Sequence, residues 1–152
     1  MKFQAFLDEA GVPYRLSHHA TAYTAQDLAA IEHVPGRTVI KSVVVRADGQ
    51  FVVCALPACY RIDLHELRSQ LQAEDVRLVD ESKLADLFPD CELGAEPPVG
   101  NLYGMTTLMD ESLIADDRVT FAAGSHDAAV TMRLSDYRRL AQPELAHFGR
   151  HR

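Results

Sequence analysis

The stretch TVIKSVVVRADGQFVVCALPA, residues 38–58, constrains this chain more than any other. Two runs rich in β-branched residues flank Asp48-Gly49, a pair that readily takes the left-handed backbone of a two-residue hairpin turn. TVIKSVVVRA and QFVVCALPA are therefore expected side by side as antiparallel strands. Alternation puts Val39, Lys41, Val43 and Val45 on one face of the first strand and Ile40, Ser42 and Val44 on the other. Both faces are apolar apart from Lys41 and Ser42, so the strand reads as buried on both sides, with a lysine inside it. Lys41 either snorkels to water from the start of the strand or is a cation on a rigid mount at the mouth of a cleft. In the second case it is placed for a phosphate or a developing negative charge.

The rest of the chain supplies partners for this hairpin. Phe3, Phe6, Leu7 and Ala10 recur at helical spacing before Gly11 and Pro13, and residues 14–18 read as a short strand. Thr24 caps a helix in TAQDLAAIEH, with Asp27 three residues on as in a capping box. Asp63 opens a helix whose Leu64, Leu67 and Leu71 make one apolar stripe; VRLV is a strand, and ESKLADLF a helix stopped by Pro89. PDCELGAEPPVGNLYG, with three prolines and three glycines in sixteen residues, is a loop. MTTLMD, RVTFAAG and AVTMRL follow as strands, Ser135 is expected to cap the helix DYRRLAQ, and residues 143–152 to fray. At 152 residues the chain is one domain, 1–152, of α+β class: a mixed, mostly antiparallel sheet flanked by helices.

Charge and composition narrow the partners. Net charge is −7, which argues against an extended grip on a nucleic-acid backbone and against DNA as a partner, while leaving room for a local basic patch. MKFQAFLDEAG has no uninterrupted apolar block, and the longest apolar run, FVVCALPACY, is about half a membrane span and contains a proline. No membrane partner and a cytoplasmic location are expected. Three cysteines and seven scattered histidines match no metal-ligand spacing, so the cysteines read as packed thiols and no metal is expected.

Two further segments could carry chemistry. In GAEPPVG, Gly94 to Gly100, glycine lets backbone approach a ligand while Pro97 and Pro98 stiffen the loop and present the amides of Ala95 and Glu96. That composition suits an oxyanion site or pocket wall, and equally a surface connection. In AGSHDAAV, His126 sits at a junction between two strands, as a turn residue or as a group that orients an ester or a water. Ser125 lies in no nucleophile elbow.

Taken in this order, VIKSVVVRADGQFVVCALPA, GAEPPVG and AGSHDAAVTM resemble the YbaK/prolyl-tRNA synthetase-associated family of aminoacyl-tRNA deacylases, over about Phe3 to Leu140. The resemblance implies a mixed sheet flanked by helices, no cofactor, and metal-independent hydrolysis of the ester joining a wrong amino acid to the 3′-terminal adenosine of a tRNA. Alanine, serine, threonine and cysteine are within the family's range. By the same resemblance Lys41, Gly94 and His126 are catalytic positions, the last matching family members that carry GSH. Ala95, Glu96, Pro97, Pro98 and Ser125 are expected to bind substrate, and His19 and Thr21 are added as candidates because HHATAYT lies where the family often has His and Thr residues near the pocket, without a family role carried over to them. The implied partners are mischarged tRNA, through its acceptor end, and an aminoacyl-tRNA synthetase. Arg37, Arg46 and Arg61 with Lys41 would form the small positive funnel a single-stranded end needs. The alternative is a non-catalytic module of the same fold that binds tRNA or a synthetase.

Overall fold

The computed structural model describes residues 2–151; Met1 and Arg152 of the domain expected over 1–152 lie outside it. Along the chain run α1 (Lys2–Ala10), β1 (Arg15–His18), α2 (Ala25–Glu32), β2 (Ile40–Ala47), β3 (Gln50–Pro57), β4 (Tyr60–Ile62), α3 (Leu64–Leu71) and β5 (Val76–Leu78). Then come α4 (Glu81–Leu87), β6 (Thr106–Asp110), β7 (Arg118–Ala122), β8 (Ala128–Arg133), α5 (Leu134–Ala141), β9 (Glu144–Ala146) and β10 (Gly149–His151).

Asp48 and Gly49, both at positive φ, turn β2 onto β3 in continuous register from Ile40↔Pro57 to Ala47↔Gln50. The hairpin sits inside a five-stranded sheet ordered β5-β2-β3-β6-β9, antiparallel on the β5-β2-β3 side and parallel from β3 to β9. A second sheet, β1-β8-β7, is antiparallel throughout, and β10 pairs β4 in a third. A parallel bridge, Val39↔Thr120, joins the segment entering β2 to β7 of the other sheet. The architecture is the mixed α+β domain that the alternation of elements suggested.

The hairpin is buried on both faces. Val45, Cys54 and Leu56 pack against Leu67 of α3 and Phe148, while Val44 and Val53 pack against Phe88 and Met105. Cys54 is one of the packed thiols, and burial pushes it up to about 12. The three-stranded sheet lays Phe121, Val130 and Met132 on Phe3 and Leu7 of α1 and on Tyr137 of α5. Its other face receives Leu28 and Ala29 of α2 over Ala129. Each fully buried Val, Leu, Phe or Met side chain among these contributes about 1.5–3 kcal/mol. Thr24, Asp63 and Asp80 cap α2, α3 and α4 by accepting the N–H of the third residue on.

Two expectations are corrected. Ser135 does not cap α5: β8 runs straight into the helix, Arg133 holds the cap position without a side-chain bond, and the Leu134 N–H goes to the Asp117 carbonyl at 2.8 Å. Residues 144–151 do not fray away from the domain either, since β9 pairs β6 and β10 pairs β4. The reason is Asp110 at the end of β6, whose Oδ1 accepts the N–H groups of Phe148 (2.9 Å) and Gly149 (2.7 Å), with the Phe148 side chain wholly buried. Among the described residues no helix is long and apolar enough to cross a membrane.

Candidate active site

The site grows from the place where the two larger sheets part. At Val39↔Thr120 the strands touch; beyond it β5 pairs β2 only from Val45 to Ala47, which leaves the edge of β2 open around Lys41 and Ser42. The GAEPP loop fills that gap. Ser42 Oγ donates to the Glu96 carbonyl (2.9 Å), Gly124 N–H to the Ala95 carbonyl (2.9 Å), and the buried Tyr137 hydroxyl to the Pro98 carbonyl (2.7 Å). The Glu92 N–H donates back to the Gly124 carbonyl, tying the loop a second time to the segment after β7, and the Ala95 N–H donates to the Glu92 carbonyl within the loop. The segment is thus a strapped wall between β2 and β7 rather than a mobile connection.

In front of this wall lies a cavity of about 240 Å³. Lys41, Gly94 and His126 all line it. Because the edge of β2 is open here, side chains from both of its faces, Ile40 and Ser42 as well as Lys41, reach the cavity. Lys41 is half-buried.

Of the expected substrate-binding positions, Glu96, Ser125 and His19 line the cavity. Ala95, Pro97 and Pro98 are buried and form the body of the wall, and Thr21 is exposed and outside the lining, where Ala22, Tyr23 and Thr24 stand instead. Gly94 takes φ +88, a backbone conformation that only glycine adopts without strain, and a Cβ there would sit 3.4 Å from His126 Cε1. The Gly94 N–H donates to Glu96 Oε2 at 2.6 Å. Burial raises the Glu96 carboxyl above its usual range, against the lowering effect of the loop amides and the His126 charge.

His126 is held at several points. Its Nδ1 lies 3.1 Å from the Ala22 carbonyl, its Nε2 2.7 Å from the Leu93 carbonyl, and its backbone N–H donates to Glu92 Oε1 at 3.0 Å. Tyr23 packs its ring on the imidazole with centroids 5.1 Å apart. His19 Nδ1 lies 2.6 Å from the Ala20 carbonyl, while its Nε2 is buried with no hydrogen-bond partner among the described residues. Ser125 Oγ donates to Asp127 Oδ1 at 2.8 Å.

The three arginines expected around the mouth do not converge on it. Arg37 pairs with the buried Asp116 at 3.4 Å, and burial of that carboxyl outweighs the arginine, leaving its pKa raised. Arg46 is five residues beyond Lys41, about 16 Å along β2 and on the opposite face, beside the Phe51 ring. Arg61 lies on β4 opposite Arg150. Sequence reading missed Ser42, Tyr23 and Leu28 as site residues; Ser42 carried the one available signal, a second polar residue within an apolar strand.

The family model for the aminoacyl-tRNA editing domain matches residues 19–140, which takes in every segment of this cavity. The chain belongs to that family. The editing domain is 28% identical to the multifunctional Ser/Thr-tRNA deacylase ProXp-y of Escherichia coli (strain K12), over 96% of this chain and 90% of the relative. It is 27% identical to a proline–tRNA ligase of Leuconostoc citreum over 68% of this chain, corresponding to 18% of the ligase. Among solved structures, a candidate trans-editing enzyme for prolyl-tRNA synthetase superimposes with a TM-score of 0.87 at 18% identity, over 98% of this chain and 95% of that one. That last likeness bears on the fold.

Proposed function

We propose that this editing domain is a trans-acting aminoacyl-tRNA deacylase that hydrolyses the ester of a small amino acid, alanine, serine, threonine or cysteine, on a mischarged tRNA. The observation that carries the reading is the convergence of Lys41, Gly94 and His126 on one cavity whose wall is fixed by hydrogen bonds from three directions. A synthetase separates amino acids that differ by one methylene by only about 1–3 kcal/mol, and a second, size-limited hydrolytic site supplies the missing selectivity. A cavity of about 240 Å³ suits such a site.

An ester needs little activation, so positioning and a fixed electrostatic environment suffice. In this reading Lys41 holds the terminal nucleotide or the polar groups of the ester, the Gly94–Glu96 wall bounds the acyl group, and water attacks. Ser125 Oγ is engaged with Asp127 and both His126 nitrogens face carbonyls, which supports water over a serine as the attacking group. His126 is a positioning residue that fixes the wall. The acceptor end of the tRNA enters the cavity, a synthetase is the natural second partner, and the cytoplasm, where tRNAs are charged, is the setting.

A panel of tRNAs charged with different amino acids tests this. Rapid loss of amino acid from one or a few small-residue identities is the expected result. Retention of every amino acid by the purified protein, with measurable tRNA affinity, would instead indicate a binding module.

A further inference from the structure

Three pairs of arginines stand directly opposite one another on antiparallel strands: Arg46 with Arg77, Arg61 with Arg150, and Arg118 with Arg133. Like charges so placed, with Cβ atoms about 4.5–5.5 Å apart, destabilise a sheet. The chain carries a net charge of −7 and has carboxylates to spare for neutralising them. In two of the pairs it uses one: Arg77 Nε bonds Asp75 at 2.8 Å, and Arg150 Nε bonds Asp63. Arg118 and Arg133 are both exposed, and neither forms a salt bridge among the described residues.

Arg15 extends the same cluster. It stands opposite Thr131, two residues from Arg133 on β8, and its guanidinium donates to the Thr131 hydroxyl at 3.3 Å. Three carboxylates lie in neighbouring segments, Glu32, which accepts from Ser17, Asp116, which pairs with Arg37, and Asp117, which adjoins Arg118 in the chain, and none of them forms a salt bridge with Arg15, Arg118 or Arg133 among the described residues. By alternation Arg118, Thr120 and Ala122 share one face of β7, and Ala122 lines the cavity. Four residues separate Ala122 from Arg118, about 13 Å at ~3.3 Å per residue. Thr120 between them is buried and α2 lies over the neighbouring Ala129, so a chain leaving the cavity reaches these arginines by passing over α2.

We propose that Arg15, Arg118 and Arg133 form a docking surface for the sugar-phosphate backbone of the tRNA acceptor arm as it leaves the cavity. This surface rests on the deacylase reading for the identity of its polyanion and lies outside the machinery that reading invokes. Guanidinium forks match phosphate oxygens in pairs, and three on one sheet face convert a costly like-charge arrangement into a site complementary to successive phosphates.

The test is titration of uncharged tRNA and of an acceptor-stem minihelix at a series of salt concentrations, with wild type, Arg118→Ala/Arg133→Ala and Arg118→Lys/Arg133→Lys. The alanine pair is expected to bind roughly tenfold more weakly at ~0.1 M salt, with a log–log salt slope smaller by about 1.4–1.8. The lysine pair keeps the charge and so most of the slope, which separates loss of charge from loss of fold. Equal affinity and slope in wild type and the alanine pair would overturn the surface. Binding needs no hydrolysis, so a wild type that binds in this way and deacylates nothing supports the surface while removing the deacylase reading.

Discussion

His126 Nε2 lies 2.7 Å from the carbonyl oxygen of Leu93, and the same ring reaches the Ala22 carbonyl through Nδ1. One side chain therefore ties the loop that carries Gly94 to the segment that leads into α2. With both nitrogens turned to carbonyls of the protein, the ring ties two sides of the cavity together, and on the deacylase reading it acts by positioning. His126→Ala is expected to lower the single-turnover deacylation rate by roughly 10- to 100-fold through a misplaced wall. It should also destabilise the fold by about 1 kcal/mol, because the carbonyl that accepts from the ring loses its donor. His126→Gln, with an amide donor for that carbonyl, should fall between. A total loss of rate in the alanine variant with undiminished thermal stability would contradict a positioning role.

Gly94 is the residue His126 leans on, at φ +88 and with room for a Cβ only at 3.4 Å from the imidazole. Gly94→Ala adds about 1–2 kcal/mol of backbone strain, while its Cβ would meet the imidazole at an ordinary contact distance. The rate is expected to drop at least about tenfold, since small displacements of a positioning group are costly. A crystal structure of the variant should show the loop between Glu92 and Glu96 shifted; an unshifted loop with full activity would count against the strapped-wall account.

The pH dependence of stability has a specific contributor in Glu96. Burial holds its carboxyl above the ordinary 4.5. The folded chain therefore binds this proton more tightly than the unfolded chain does. The contribution is fully present below the unfolded value and is lost as pH rises through the folded one. Glu96→Gln is neutral at every pH and can still accept the Gly94 N–H, so it should raise Tm at pH 7, with the gain shrinking towards pH 4. Thermal melts of both proteins across that range check it, and a gain that grows on acidification would have the wrong sign.

Asp110 should matter to the fold well away from the cavity. Asp110→Ala leaves the buried N–H groups of Phe148 and Gly149 without an acceptor, at about 1–3 kcal/mol each. A loss of about 2–5 kcal/mol in urea unfolding is expected, with early proteolysis after residue 142. Unchanged stability would mean that β9 and β10 are held by pairing and Phe148 burial alone.

Local rules made much of this fold readable from the chain. Asp48-Gly49 dictated the hairpin, and Thr24 and Asp63 mark helix starts by a bond to a residue three positions on, which sequence displays directly. Ser135 misled because the Leu134 N–H was satisfied by Asp117, a residue brought close only by β7 pairing β8. The tail misled for the same reason, as its acceptor, Asp110, lies 38 residues before Phe148. At the site, the strand lysine, the GAEPP loop and His126 were legible as segments, and the resemblance put them together. Ser42 and Tyr23 were not, because their roles depend on the Glu96 carbonyl and the His126 ring arriving from distant parts of the chain.

The central claim is that Lys41, held half-buried on the open edge of β2, serves the reaction in the cavity it lines. Single-turnover deacylation by Lys41→Ala, on the charged tRNA that wild type hydrolyses fastest, tests it most directly. Removing a fixed group that stabilises the transition state typically costs 10²–10³ in rate, so a loss of at least about 100-fold with an unchanged thermal melt is expected. A folded Lys41→Ala protein that deacylates every mischarged tRNA at the wild-type rate would contradict it.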